Sequence, residues 1–289
     1  MAAKSSVSKD TNRVWLITGP SSGFGRALAQ AVLARGERVI LAARRPESVQ
    51  DLTDCYPERA RVVALDVTKR EMIVPAVNDA LKAFGQVDVL VNNAGFGIIG
   101  ALEEISEAEM RQQMETNFFG VFLLTQALLP HMRQRGKGHI LNVSSMAGLV
   151  GMSGVAAYSA SKFAMEGLSE SLAQEVAPYG IHVTLVEPGA FRTDIVGRSE
   201  AHAQHLMNEY KNSIGRALST IDGQQPGDPA RAAQVMIDAV ESDAPPLHLL
   251  LGEDAIEATE QKLQSLQADI QHWQTAGRET TFTSGQPDA

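Results

Sequence analysis

Cysteine is almost absent from this chain, because Cys55 is the only one among 289 residues. A single cysteine excludes an intramolecular disulfide, and we therefore expect a reducing, cytoplasmic environment. The chain also lacks an apolar run of about 18 residues, so we expect no membrane-spanning helix. Its first residues are polar and contain no apolar segment typical of a secretory signal.

Basic residues are in the minority. Lys and Arg total 25 against 34 Asp and Glu, which gives a formal net charge of −9. Because nucleic-acid-binding surfaces usually carry clustered Lys and Arg, this composition argues against a nucleic-acid partner. No repeat or low-complexity linker divides the chain. We expect one domain over residues 12–275, with flexible ends at 1–11 and 277–289.

Short apolar runs alternate with segments of helical periodicity along the chain. The seven runs are VWLIT, RVILAA, RVVALDV, VDVLVNN, GHILNVSS, IHVTLVEPG and PPLHLLLG. Strands that are apolar at nearly every position are typical of a parallel sheet covered by helices on both faces. The pattern predicts a doubly wound α/β fold, a three-layer sandwich around a mostly parallel seven-stranded sheet.

The stretch TGPSSGFG, residues 18–25, connects the first run to a helix. Glycine tolerates positive φ, and a helix start directs free N–H groups towards one point, so such a turn suits a phosphate. Its spacing matches neither the P-loop nor G-x-G-x-x-G. The glycines alone leave two alternatives open, a dinucleotide-binding turn or an ordinary tight connection.

Polar or special residues follow the other runs, at the sheet edge where ligands of open α/β sheets bind. They are Arg44 and Arg45, Asp66 and Val67, Asn92 to Gly95, Ser144 and Ser145, and Pro188 and Gly189. Farther on, Tyr158 and Lys162 are four residues apart in a helical pattern and so share one face. The glycine-rich connection between Ser145 and Tyr158 allows the serine hydroxyl to fold back towards the phenol. Taken singly, each motif is also compatible with a turn or a solvated helix surface.

Taken in order, these motifs closely resemble the short-chain dehydrogenase/reductase family. The matches are T-G-x-x-x-G-x-G at 18–25, N-N-A-G at 92–95, Asn117 in ETNFFG, Ser145, Y-x-x-x-K at 158–162 and P-G-x-x-x-T at 188–193. They extend over residues 12–252. The resemblance implies a Rossmann-like fold and a nicotinamide cofactor.

The resemblance also implies a catalytic set of Asn117, Ser145, Tyr158 and Lys162. Tyr158 would donate a proton to a carbonyl oxygen while the nicotinamide delivers hydride to the carbon. Ser145 would orient that oxygen, and Asn117 would position a water for proton relay. Lys162 would hold the nicotinamide ribose and lower the pKa of the phenol.

The end of the second strand distinguishes the two nicotinamide cofactors. A carboxylate there suits the ribose 2′-OH, whereas Ala43 followed by Arg44 suits a 2′-phosphate, so we predict NADP(H) rather than NAD(H). Arg45 either assists or is solvated. Asp66 contacts the adenine amino group with its side chain, frames that pocket through the following backbone, or caps the following helix. The predicted cofactor-binding residues are Thr18, Gly19, Ser21, Ser22, Gly23, Phe24, Gly25, Arg44, Asp66, Val67, Asn93, Ala94, Gly95, Tyr158, Lys162, Pro188, Gly189 and Thr193.

Residues 191–226 occupy the place where this family carries its substrate-covering segment, and we expect substrate specificity to lie there. Four of its residues either line a pocket or belong to a helix with solvated histidines: His202, His205, Met207 and Tyr210. We expect no metal site, because no convergent ligand set accompanies them. Apolar residues near the catalytic motifs favour a hydrophobic or mixed ketone, aldehyde or secondary alcohol. The predicted substrate-binding residues are Phe96, Ser145, Met146, Met152 and Phe191, with Leu149 as a further apolar neighbour.

A long amphipathic helix at 253–275 extends beyond the family's compact pattern and is expected to pack over the active-site rim or the sheet edge. Helices at 115–129 and 156–168 offer the family's usual dimer face, so we expect a homodimer. We predict an NADP(H)-dependent carbonyl reductase or alcohol dehydrogenase. Two alternatives are a nucleotide-sensing regulatory protein on the same fold and a lyase or isomerase that uses the bound cofactor transiently.

Overall fold

A computed structural model describes residues 12–193, 200–218 and 223–282. The predicted flexible end at 1–11 lies outside these ranges, as do 283–289 of the other end and residues 194–199 and 219–222 of the predicted substrate segment. No helix in the described ranges is both long and apolar enough to cross a membrane.

Strands and helices alternate through the described ranges. The strands are β1 (Val14–Thr18), β2 (Arg38–Ala43), β3 (Ala60–Ala64), β4 (Val89–Asn92), β5 (Gly97–Ile99), β6 (Gly138–Val143), β7 (Ile181–Pro188), β8 (Glu200–His202) and β9 (His248–Leu251). The α-helices are α1 (Gly23–Ala34), α2 (Gln50–Cys55), α3 (Arg70–Phe84), α4 (Glu107–Met114), α5 (Gly120–Arg135), α6 (Ala156–Val176), α7 (Ile214–Leu218), α8 (Pro229–Glu241) and α9 (Glu253–Glu279).

The main sheet has seven strands in the order β3-β2-β1-β4-β6-β7-β9, and every neighbouring pair is parallel. Leu16 at the centre of β1 pairs with Ile40 of β2 on one side and Leu90 of β4 on the other. The strand order reverses direction between β1 and β4, which is where doubly wound sheets leave a ligand crevice. The predicted fold class is confirmed.

The alternation of side chains along β1 explains why the strand is apolar throughout. Trp15 and Ile17 belong to the core shared with α1 and α8, whereas Val14 and Leu16 belong to the core shared with α3, α5 and α6. All four side chains are buried. Successive residues of a strand point to opposite faces, so both faces of this sheet are covered.

Two features differ from the sequence-based expectations. A separate parallel pair, β5 with β8, was not predicted, and the alternative of a helix carrying His202 is wrong, because His202 lies in β8. Tertiary contacts favour the extended conformation of this segment, since the carboxylate of Glu109 accepts a hydrogen bond from the backbone N–H of Gln204. The C-terminal helix extends to Glu279, four residues beyond the expected end at 275.

Candidate active site

A cavity of about 1030 Å³ opens at the carboxyl ends of the central strands. Most residues predicted to bind cofactor or substrate line it: Gly19, Ser21, Ser22, Gly23, Phe24, Arg44, Asp66, Val67, Asn93, Ala94, Gly95, Phe96, Ser145, Met146, Met152, Tyr158, Lys162, Pro188, Gly189, Phe191 and Thr193. Of the residues given a catalytic, cofactor or substrate role from the sequence, those not in its wall are Thr18, Gly25, Asn117 and the apolar neighbour Leu149. Neither are His202, His205, Met207 and Tyr210.

The glycine-rich turn after β1 brings bare backbone to the cavity. Gly19 and Gly23 have φ values of 64° and 52°, a region that favours glycine. A Cβ at Gly25 would overlap the Asn93 amide and the Gly19 carbonyl oxygen. Ser22 stands at the N-cap of α1, but its side chain makes no capping hydrogen bond. The first N–H groups of α1 are therefore available to an anion in the cavity.

Thr18 and Asn93 fasten the ends of β1 and β4 together. The Thr18 hydroxyl accepts hydrogen bonds from the backbone N–H groups of Asn93 and Ala94, each at 2.9 Å. The Asn93 side chain in turn donates to the carbonyl oxygens of Thr18, at 2.9 Å, and Gly19, at 3.1 Å. These contacts hold the glycine turn against the next strand, which explains why Thr18 and Gly25 stand behind the cavity wall.

Arg44 and Arg45 follow β2 at the exposed rim of the cavity. Neither guanidinium forms an ion pair or hydrogen bond with another described residue. Asp66, after β3, accepts hydrogen bonds from the backbone N–H and the hydroxyl of Thr68, at 3.0 and 2.7 Å. Asp66 therefore closes a local turn; it does not cap α3, which begins at Arg70 after Lys69.

Ser145 and Tyr158 meet in the cavity wall, brought together from the end of β6 and the first turn of α6. Both side chains line the cavity, and the Ser145 hydroxyl accepts a hydrogen bond from Ala147 N–H at 3.1 Å. Burial raises the pKa of Tyr158 to about 12, and the nearby Ser145 side chain opposes the shift. This shift is opposite to the lowering expected from Lys162, because burial of the phenol disfavours the charged phenolate.

Lys162 lies one helical turn after Tyr158 and is buried. Its Nζ donates a hydrogen bond to the carbonyl oxygen of Val143 at 2.7 Å and lies 5.6 Å from the centre of the Tyr158 ring. Burial lowers the pKa of Lys162 to about 8, and the carboxylate of Glu166 raises it. The ammonium is thus held beside the phenol by the last residue of β6.

Asn117 lies in a single π-helical turn, Glu115–Phe119, between α4 and α5. Its amide oxygen accepts a hydrogen bond from Phe96 N–H, and its nitrogen donates to the Phe96 carbonyl oxygen and the Ser161 hydroxyl. The side chain is fully buried. In this geometry Asn117 fixes the backbone of Phe96, a residue of the cavity wall, and its role in positioning a water stays a prediction.

A family model described as short chain dehydrogenase matches residues 13–204. The chain belongs to the short-chain dehydrogenase/reductase family. It is 38% identical over 265 residues to Oxidoreductase BOA17 of Botryotinia fuckeliana, which covers 90% of this chain and 96% of that protein. It is 41% identical over 215 residues to the 3-ketodihydrosphingosine reductase of Bacteroides thetaiotaomicron, covering 74% and 77% of the two chains.

Solved structures of the short-chain dehydrogenase/reductase family agree with the fold. A short-chain dehydrogenase from Streptomyces avermitilis is 46% identical with a TM-score of 0.89, covering 94% of this chain and 100% of that one. A metagenomic short-chain oxidoreductase in complex with NADP is 28% identical with a TM-score of 0.68, and a Brucella melitensis 3-ketoacyl-(acyl-carrier-protein) reductase complexed with NADH is 27% identical with a TM-score of 0.70. Each covers 84% of this chain and 98% of its own. These neighbours support a nicotinamide cofactor.

Two polar side chains in the cavity wall of this short-chain dehydrogenase have no hydrogen-bond partner among the described residues. Gln225 is 1% exposed, and neither polar atom of its amide is paired within that part of the chain. The same holds for the buried hydroxyl of Thr193. Buried polar groups are normally hydrogen-bonded, so these atoms are candidates for contact with a polar ligand group. Gln225 was missed because no spacing rule connects it with the other motifs.

Asp254, in the first turn of α9, is another residue that the sequence did not reveal. Its carboxylate accepts a hydrogen bond from Ala190 N–H at 2.7 Å and lies directly against Gly189, where a Cβ would overlap it. The start of α9 thus holds the Pro188-Gly189 turn of this family member in place.

A buried carboxyl pair, Glu166 and Glu187, lies outside the cavity wall and was also missed. Carboxylate oxygens of the two residues and a ring nitrogen of His248 lie within 4.8 Å of one another. Ser144 donates a hydrogen bond to Glu166, and His248 Nδ1 lies 2.6 Å from a Glu187 oxygen. Burial raises the pKa of Glu166 to about 8 and that of Glu187 to about 7, so it favours the protonated form of each carboxyl.

Proposed function

We propose that this protein is an NADP(H)-dependent oxidoreductase that transfers hydride between the nicotinamide and a ketone, aldehyde or secondary alcohol. The observation that carries the proposal is that Ser145, Tyr158 and the buried Lys162 lie together in the wall of one large cavity, with Lys162 Nζ 5.6 Å from the centre of the Tyr158 ring. Binding alone would not require a phenol proton donor in that place.

The residues of the cavity fit a dinucleotide. The uncapped first turn of α1 offers N–H donors for the pyrophosphate, and Gly19 and Gly23 permit a close backbone approach. The unpaired groups of Thr193 and Gln225 offer donors and acceptors to further polar parts of a ligand. Lys162 would hold the nicotinamide ribose.

When bound, the nicotinamide supplies or accepts the hydride. Tyr158, whose pKa is raised by burial, keeps its proton near neutral pH and is suited to protonating a carbonyl oxygen. Ser145 orients that oxygen by a second hydrogen bond. The buried ammonium of Lys162 favours the phenolate that remains after transfer.

The two arginines at the end of β2 support NADP(H) as the cofactor. Arg44 and Arg45 are exposed at the cavity rim and have no ion-pair partner among the described residues. At the end of β2, where a carboxylate would suit the ribose 2′-OH, this chain has Ala43. A guanidinium forms charge-assisted, often bidentate hydrogen bonds with phosphate. The 2′-phosphate is the group that NADP(H) has and NAD(H) lacks.

The substrate side of the cavity is mainly apolar. Its wall includes Phe96, Met146, Met152 and Phe191 from the predicted set, and Val155 in addition. The similarity to a protein named 3-ketodihydrosphingosine reductase supports a ketone as substrate class. We therefore favour hydrophobic or mixed ketones and aldehydes, or the corresponding secondary alcohols.

The test is a panel of apolar ketones, aldehydes and secondary alcohols, assayed with NADPH and NADH by the absorbance of the reduced nicotinamide. We expect turnover with apolar carbonyl compounds and NADPH, and loss of it in Tyr158→Phe. Cofactor binding without turnover on any member would instead favour a nucleotide-sensing protein. Product formation without net cofactor oxidation would favour a lyase or isomerase.

A further inference from the structure

Helix α9 extends away from the rest of the protein. It has 27 residues, which corresponds to about 40 Å. Its first turn packs against β9 and the short turn Met146–Gly148, and Ala255 is its buried residue. Every residue from 260 to 280 is exposed. The expected packing over the active-site rim therefore involves the start of the helix, and no described part of the chain covers the rest.

The exposed part of α9 carries a regular apolar stripe. Ile256, Leu263, Leu266, Ile270 and Trp273 are 45%, 60%, 48%, 52% and 66% exposed. Their spacing places them at the a and d positions of three consecutive heptads, with Thr259 at the remaining d position. A stripe of two positions in seven is the narrow seam of a coiled coil, whereas a helix that packs on a globular core shows a wider one.

Such a helix needs a partner. Most of the stability of helices in proteins comes from packing of an amphipathic face, and contiguous exposed apolar side chains mark an interaction surface. Three heptads reach the length at which a/d patterning indicates a coiled coil. We propose that α9 pairs with α9 of a second copy of this chain as an antiparallel coiled coil.

The apolar layers fit an antiparallel pair. Leu263 of one helix then lies beside Leu266 of the other, which centres the pair, and Ile256 lies beside Trp273. The two folded bodies stand at opposite ends of the helix pair, so neither obstructs the other. A twofold axis relates the copies, as in most homodimers.

The charges beside the seam select this orientation. In the antiparallel pair, the g positions face each other, which brings Lys262 of each copy near Asp269 of the other and forms two ion pairs. A parallel pair would instead place these two charged side chains against the neutral Gln267 and Gln274. Charge complementarity thus exists in one orientation.

The composition of α9 argues against a lipid bilayer as the occupant of the stripe. The helix carries six acidic residues and two basic ones: Glu253, Asp254, Glu257, Glu260, Asp269 and Glu279 against Lys262 and Arg278. Helices that lie in a membrane surface are rich in Lys and Arg on their polar face. A second copy of the same helix provides both an apolar seam and opposite charges.

This interface differs from the expected homodimer face. Phe119, in the π-helical turn before α5, and Phe163, in α6, are 42% and 44% exposed on the segments expected to form that face. The test is the solution mass of the full chain by sedimentation equilibrium. The double variant Leu263→Glu/Leu266→Glu places charges in the seam. The matched control, Gln264→Glu/Gln271→Glu, adds the same charge at b positions away from it.

We expect the seam variant to have half the mass of the wild type and the control to keep the wild-type mass, whether or not α5 and α6 form a second interface. An unchanged mass of the seam variant, or a monomeric wild type, overturns the proposal. Equal Tm values of the folded bodies show that the variants fold. Co-sedimentation of monomeric wild type with vesicles of anionic phospholipid would identify a membrane as the occupant and also overturns it.

A charge exchange tests the orientation. Lys262→Asp or Asp269→Lys alone converts both ion pairs of the dimer into contacts between like charges. We therefore expect the dissociation constant of the dimer to rise roughly 10-fold. The double exchange recreates both ion pairs and restores the wild-type value. If the single variants leave the dissociation constant unchanged, the antiparallel arrangement is wrong.

Discussion

Lys162 and Glu166 lie one turn apart on α6, and the carboxylate raises the pKa of the buried ammonium, which burial lowers to about 8. Glu166 does not line the cavity. The hydroxyl of Ser144, the residue next to Ser145, donates a hydrogen bond to Glu166. A carboxyl outside the reacting cavity thus affects the charge state of a residue within it.

Glu166→Gln should move the alkaline limb of activity to lower pH. Without the carboxylate, the pKa of Lys162 falls further, so the ammonium loses its proton at a lower pH. The measurement is kcat/KM against pH for wild type and variant. Glu175→Gln, an exposed position on the same helix, is the control and should keep the wild-type profile. If the alkaline limb of Glu166→Gln stays where it is in the wild type, Glu166 does not control the protonation of Lys162.

Glu187→Gln should become more stable relative to the wild type as pH rises. Burial raises the pKa of Glu187 to about 7, so the folded state binds more protons than the unfolded state between its ordinary pKa and that value. The wild type therefore loses stability as pH rises through this window, by up to about 1.4 kcal/mol per pH unit for one proton. Because Gln binds no proton, the variant does not lose stability in this way as pH rises.

Thermal unfolding at several pH values measures the effect. The Tm of Glu187→Gln minus that of the wild type should increase from about pH 5 to about pH 7. Glu175→Gln should show a constant difference across the same range. A parallel pH dependence of Glu187→Gln and wild type would mean that the buried carboxyl is not protonated in the folded protein.

Tyr158→Phe should nearly abolish turnover and leave cofactor affinity almost unchanged, because it removes one hydroxyl and little volume. Loss of a general acid typically costs about 10²–10⁴-fold in rate. Steady-state kinetics and cofactor titration measure the two quantities. A variant that keeps most of the wild-type rate on a good substrate would exclude Tyr158 as the proton donor.

The sequence predicted the parts of this protein that depend on local pattern. The central strands of the main sheet are largely apolar, as in VWLIT, because both of their faces are buried. The site residues at strand ends follow from the same reasoning, since parallel strands bring their carboxyl ends to one edge. The family motifs then linked Ser145, Tyr158 and Lys162.

Features that depend on tertiary contacts were not predictable in this way. Strand β5 is three residues long and pairs with β8, about a hundred residues away. Gln225 and Asp254 reach the cavity from loops and a helix start that carry no spacing signal. The raised pKa of Tyr158 arises from burial, which local pattern does not measure.

Exchanging residues 191–226 for those of another family member should change substrate preference without changing the preference between NADPH and NADH. The carboxylates of Glu104 and Glu109 hold this segment through the backbone N–H groups of Met207 and Gln204, so the anchoring does not depend on the exchanged side chains. Relative kcat/KM values over a substrate panel measure the outcome. Chimeras that bind cofactor but keep the original ranking would place specificity elsewhere.

NADPH should bind more tightly than NADH, and Arg44 should provide much of the difference. Arg44 lies at the cavity rim after β2 and has no ion-pair partner among the described residues, so its guanidinium is available to the 2′-phosphate. Charge-assisted hydrogen bonds contribute about 1.5–3 kcal/mol, roughly 10- to 150-fold in affinity, with the lower half expected at an exposed rim.

Arg44→Ala should therefore weaken NADPH much more than NADH, and Arg45→Ala measures the share of the neighbouring arginine. Arg231→Ala, an exposed position on α8 outside the cavity wall, is the control for loss of one positive charge. Salt should reduce the wild-type preference, because it screens an exposed contact with phosphate. Dissociation constants by titration in low and moderate salt decide the matter. Equal affinities in the wild type, or a parallel loss of both cofactors in Arg44→Ala, would show that the end of β2 does not recognise the 2′-phosphate.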